Sequence, residues 1–171
     1  MSRTLAALLV CSSGLAAVAG RQSAGRLRFE RNGFSIQALE GQPGDAPYTA
    51  LMMFLPPSKG FAPNVNVVIQ PYAGTIDEYA ALSKKQFVAG KFKLIREAKV
   101  GKVGVLFEYS GRLQGRQLRW YARAILRGDK VYLVTATATK DQWAGVSGKL
   151  KACVDSFEIG KGEAPAAPAS K

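Results

Sequence analysis

Residues 119–139 read RWYARAILRGDKVYLVTATAT. β-Branched and aromatic residues dominate both halves, and Gly128-Asp129 stands between them as a two-residue turn. A hairpin about that turn sets Arg127 opposite Lys130 and thereby fixes every later pair. One face then carries Leu126 with Val131, Ala124 with Leu133, Ala122 with Thr135 and Trp120 with Thr137. The other carries Ile125 with Tyr132, Arg123 with Val134, Tyr121 with Ala136 and Arg119 with Ala138. The first face is the better candidate for core. The second mixes arginines and tyrosines with apolar residues, like a partly covered sheet face whose long cations reach outward. The tip also spells Arg127-Gly128-Asp129, the adhesion tripeptide, but Gly-Asp is ordinary turn chemistry and needs no ligand.

The rest of the chain extends this sheet. Leu27–Arg31 and Phe34–Ala38 flank Asn32-Gly33, a hairpin signal. Tyr48–Leu55 is an apolar run stopped by Pro56-Pro57, and Asn64–Gln70 is a β-branched strand. At Thr75 the period changes. Thr75 and Glu78 form a capping box, Ile76, Tyr79, Leu82, Gln86 and Phe87 follow at helical spacing, and Gly90 supplies a stop. A helix is therefore predicted over Ile76–Ala89. Lys93–Ala98 and Val103–Ser110 are strands, with Gly111–Gly115 a loop before the hairpin. A second helix begins at Thr139 with Gln142 as capping partner, and Trp143, Val146, Leu150, Val154 and Phe157 form its apolar stripe. Cys153 lies beside that stripe as a small core residue. The order predicts an α+β domain, a mainly antiparallel sheet flanked by two principal helices.

The ends are of another kind. Residues 1–19 read as a signal peptide: Arg3 is the charged start, Thr4–Val10 the apolar run, and Ala17-Val18-Ala19 the cleavage pattern. The apolar part is too short to span a membrane. Cys11 raises a lipoprotein reading, but Val10 stands where a small residue is expected. Export, to the periplasm or beyond, is the implied localisation. A lead over 20–26 precedes the domain at 27–159. From Gly160 to Lys171 the chain is Pro/Ala-rich with nothing to bury, the composition of a disordered tail.

Of 171 residues, 24 are Lys or Arg and 12 Asp or Glu, a formal charge of +12, and none is histidine. Without histidine, and with Cys153 as the one cysteine after the signal, histidine-based triads and the usual zinc sites are excluded. Glu97 and Glu108 are a carboxylate pair that a fold could bring together for glycoside hydrolysis, although no spacing argues for it. No cofactor or metal is expected, and no catalytic residue is assigned.

Several stretches together resemble one family: residues 29–37 (FERNGFSIQ), 61–83 (FAPNVNVVIQPYAGTIDEYAALS), 104–111 (GVLFEYSG) and 137–157 (TATKDQWAGVSGKLKACVDSF). They resemble the PsbP-like superfamily, which includes DcrB-type bacterial envelope proteins. The resemblance covers about residues 27–159 and rests mainly on Asn64–Val67, Ile76–Tyr79, Trp143 and Ser156-Phe157. It implies a PsbP-like α/β/α sandwich and a non-catalytic adaptor or assembly role. The histidines that ion-binding members use are missing here.

The expected contact surface is the basic hairpin: Arg112, Arg116, Arg119, Tyr121, Arg123, Lys130 and Tyr132. Its expected partner is an acidic envelope protein or complex. The alternative is an anionic envelope polymer or lipid headgroups, with phosphates met by arginines. Nucleic acid, which such a platform could also stack on, is disfavoured by export.

Overall fold

The computed structural model describes residues 26–30, 33–37 and 46–160. The predicted signal peptide with Cys11, the lead up to residue 25 and the tail from residue 161 lie outside the described residues. The chain divides into two compact units, Met1–Pro43 and Gly44–Lys171.

In the first unit, β1 (Arg26–Phe29) pairs antiparallel with β2 (Phe34–Gln37). Phe29 faces Phe34, so four residues separate the strands rather than the expected two. Gly33 takes the left-handed position at φ +71° and donates its N–H to the Glu30 carbonyl at 3.1 Å. Arg31, Asn32 and Ala38, which the hairpin reading used, lie outside the described residues.

The second unit is built on six antiparallel strands in the order β3-β4-β8-β7-β6-β5. They are β3 (Tyr48–Phe54), β4 (Asn64–Pro71), β5 (Lys93–Val100), β6 (Gly104–Leu113), β7 (Arg116–Arg127) and β8 (Lys130–Thr139). The β7–β8 register is the one the turn dictates, from Arg127 opposite Lys130 to Arg119 opposite Ala138. Gly128 alone in that turn is left-handed, at φ +60°, the pattern of a type II′ turn. One expectation is corrected. Gly111–Gly115 is not a loop: β6 runs on to Leu113, and only Gln114-Gly115, both with positive φ, make the turn. Gly111 sits inside the sheet because a Cβ there would lie 2.3 Å from the Phe92 ring.

α1 (Ile76–Ala89) and α2 (Lys140–Asp155) both open on reciprocal capping boxes, Thr75 with Glu78 and Thr139 with Gln142. α1 closes in a Schellman arrangement, with Phe92 N–H on the Phe87 carbonyl and Lys91 N–H on that of Val88. The left-handed residue there is Lys91, at φ +55°, not Gly90, whose missing Cβ leaves room for the Phe92 ring.

Each helix covers one face of the sheet. Against α2 pack Val65, Val67, Leu106, Tyr121, Val134, Ala136 and Ala138, which meet Trp143, Leu150 and Val154. On the other face Val105, Phe107, Ala124 and Val131 meet Tyr79 and Ala80 of α1. Both faces are therefore core, and a fully buried valine or phenylalanine contributes roughly 1.5–3 kcal/mol. The buried side of α1 includes Tyr79, Ala80 and Ser83, while Leu82 turns outward with 45% exposure.

Candidate functional site

The seven residues expected to form one basic face are not brought together. Arg112 and Arg116 flank the β6–β7 turn, and Lys130 and Tyr132 lie near the β7–β8 turn, at the opposite end of the 12-residue β7. Between them, the face carrying Arg119, Tyr121 and Arg123 is roofed by α2. Tyr121 is 6% exposed and its hydroxyl donates to Asp155 Oδ1 at 2.9 Å. Burial first, then that carboxylate, pushes the Tyr121 phenol up to about 12. Arg123 donates Nη1 to the carbonyls of Asp155 and Phe157, tying the end of α2 to the sheet. The Tyr132 ring lies 6.4 Å from that of Phe157. Arg119 holds Glu108 and stands over the Trp143 ring at 5.4 Å.

Glu108, named from the sequence only as half of a carboxylate pair with Glu97, is the acidic counterpart of this face. Only 5% exposed, it takes Arg119 on Oε1 and Lys151 on Oε2 at 3.0 Å. Burial works to raise its pKa, but hydrogen bonds from Lys151 and Arg119 and their charges hold the carboxyl below the usual range. Glu97 lies on the opposite sheet face, opposite Phe107, and pairs with Lys84 at 3.2 Å. The two carboxylates therefore do not converge, which disposes of the glycosidase pair. Among the described residues no group of three His, Cys, Asp or Glu side chains gathers.

Two surfaces among the described residues suit a macromolecular partner. The first is β3, an edge strand whose seven residues are all exposed, Met52 at 47% and Phe54 at 61%. Its register against β4 slips between Thr49 and Leu51, a bulge, and beyond it Leu51, Met52, Met53 and Phe54 run without a charge. An edge of this kind presents apolar side chains on both faces and unpaired N–H and C=O groups along its rim. Beside it, Met53, Leu55, Pro63, Leu150, Cys153 and Lys149 line a hollow of about 180 Å³. Sequence patterning marked Tyr48–Leu55 as apolar, but strand order, which alone makes it an edge, is not written in the pattern.

The second is a basic corner. Ser58 and Phe61 exchange backbone hydrogen bonds around Lys59-Gly60, both left-handed at φ +50° and +72°. The Gln142 amide clamps this turn by donating to Ser58 O, Ser58 Oγ and Phe61 O at 2.8–3.0 Å. That places Lys59 beside Arg116 and Lys140 around a hollow of about 180 Å³. None of these three cations forms an ion pair with a described residue. Arg116 thus finds cationic company from elements the hairpin reading did not include.

No family model matches the chain, and no curated protein matches it in sequence. Solved structures do. The fold is similar to that of PA94 from Pseudomonas aeruginosa, described as a protein of unknown function and putative regulator, at TM-score 0.52 and 18% identity. That match covers 81% of this chain and 98% of PA94, and it shows a shared fold. Cyanobacterial PsbP (CyanoP) from Synechocystis matches at TM-score 0.41 and 12% identity, over 73% of this chain and 99% of its own. LpqN, involved in cell envelope biogenesis of Mycobacterium tuberculosis, matches at 0.36 and 16%, over 68% and 84%.

Proposed function

We propose that this is an exported, non-catalytic binding protein of PsbP-like, DcrB-type character that serves as an adaptor or assembly factor in the cell envelope. The observation that carries the docking role is β3, an uncharged apolar edge in a chain with a formal charge of +12. Its partner is an acidic envelope protein that adds a strand along β3, its apolar side chains seated against Leu51–Phe54. The surrounding positive charge speeds encounter, and the apolar strand retains the complex. Export is supported by the Arg3, Thr4–Val10 and Ala17–Ala19 pattern. The superfamily assignment is supported by the stretches quoted above.

A second reading rests on the basic corner. Lys59, Arg116 and Lys140 suit an anionic polymer or lipid headgroup, and binding of that kind weakens log-linearly with salt.

Cross-linked envelopes washed at low and high salt separate the two. Retention of a discrete protein at high salt, lost on Met53→Glu, supports the adaptor. Retention of polymer or lipid alone, lost at high salt and on Arg116→Glu, supports the cationic binder. Export is tested by sequencing the N-terminus of the processed protein, which should begin at Gly20.

A further inference from the structure

α1 does not lie centrally on its sheet face. Its backbone lies nearest β5 and β6, two ion pairs, Lys84–Glu97 and Lys99–Asp77, tether it to β5, and Tyr79 and Ala80 reach across to β7 and β8. Among the described residues no other helix covers the same face over β8 and β4. A cleft of about 380 Å³ opens under that side of α1, with Gln70, Tyr72, Tyr79, Ser83, Gln86 and Tyr109 among its walls. Small-molecule pockets fall in the range of about 300–1,000 Å³.

The lining is selective in its chemistry. Among the described residues no Lys, Arg, Asp or Glu contributes to it, although such residues make up 21% of the chain. A charged ligand would be buried there without a counter-ion, at high cost. Rings are plentiful: Tyr72 and Tyr79 meet edge to face at 5.2 Å, and Phe87 stacks on Tyr109 at 4.3 Å. Such walls favour another planar ring by offset or edge contacts. The polar groups are amides and hydroxyls. Tyr79 already donates to Gln70 Oε1 at 2.9 Å and Ser83 to the Tyr79 carbonyl at 2.9 Å. Burial pushes the Tyr79 and Tyr109 phenols up to about 12, so both stay neutral at physiological pH.

We propose that the cleft between α1 and the sheet binds an uncharged, planar aromatic small molecule bearing at least one hydrogen-bonding group. This site stands apart from the docking role of β3 and holds or falls on its own.

The test uses the whole chain and a matched pair of fluorescent probes. N-phenyl-1-naphthylamine is neutral, and 1-anilinonaphthalene-8-sulfonate has the same rings with a charge. Because β3 is also apolar, Phe54→Ser serves as the control for adsorption there. The neutral probe should bind saturably at one site, more tightly than the sulfonate, and unchanged in Phe54→Ser. Ser83→Leu and Gln86→Phe, which fill the cleft, should each weaken it about tenfold or more. Gln86 is exposed on α1, so its variant carries the test even if Ser83→Leu fails to fold. Absence of saturable binding, equal affinity for the sulfonate, or binding lost in Phe54→Ser and kept in Gln86→Phe would each overturn the proposal.

Discussion

Arg119 holds Glu108 with two nitrogens on one oxygen, Nε at 2.9 Å and Nη2 at 2.6 Å from Oε1. Lys151 takes the other oxygen, so one buried carboxylate joins β6, β7 and α2. Glu108→Gln keeps the shape and leaves both cations without a counter-charge. Removing one partner of a fully buried pair costs about 3–5 kcal/mol. Here the Arg119 and Lys151 side chains are each 34% exposed, and water screens part of the loss. A destabilisation of about 2 kcal/mol is therefore expected in chemical unfolding.

The same carboxylate gives an acid limb. Its folded pKa lies below the ordinary value of 4.5, so its contribution is complete above that value and is lost as pH falls through the lowered one. Unfolding free energy measured below pH 4.5 should fall more steeply in the native protein than in Glu108→Gln. Parallel curves would show that Glu108 is not the linked group.

At the alkaline end, burial pushes Tyr79, Tyr109 and Tyr121 up to about 12 from 10.0. A raised pKa means stability that is complete below 10 and is lost as pH rises towards 12. Phenolate absorbance should show these three of the six tyrosines ionising together with unfolding in that interval. Their ionisation near 10 in the folded protein would contradict the packing.

Glycines separate into those the fold needs and those it does not. Gly145 and Gly148 lie inside α2 with nothing within 4 Å of an added Cβ. Each change to alanine should stabilise by up to about 1 kcal/mol. Gly111→Ala drives a Cβ into Phe92, a ring held against Trp120 at 5.1 Å, and should cost about 1–3 kcal/mol. Thermal unfolding of the three variants reads both signs.

Much of this architecture is legible in the sequence where one local rule governs. The Gly128-Asp129 turn dictates ten β7–β8 pairs, and the two capping boxes mark both helix starts. What escapes is long-range. The Arg119–Tyr121–Arg123 face reads as partly exposed because the roof that covers it is α2; Glu108 on β6 holds Arg119, and the end of α2 holds Tyr121 and Arg123. The stripe of α2 announces that it needs an apolar face but does not say which. Gly111 reads as loop because the reason for its glycine, the Phe92 ring, lies far back in the chain, between α1 and β5. On α1, Ala80 and Ser83 face the sheet where a hydrophobicity pattern favours Leu82. The basic corner is half legible in Arg116; Lys140 follows at the β8–α2 junction, while Lys59 joins only through the Gln142 clamp.

The adaptor role rests on β3, and the most direct measurement is retention of cross-linked envelope partners by the native protein and by Met53→Glu at high salt. Every residue of β3 is exposed, so the substitution should leave the fold intact. The account predicts one discrete acidic protein, kept by the native chain and lost from the variant. Equal retention by both, or recovery of only salt-sensitive polymer or lipid, would contradict it.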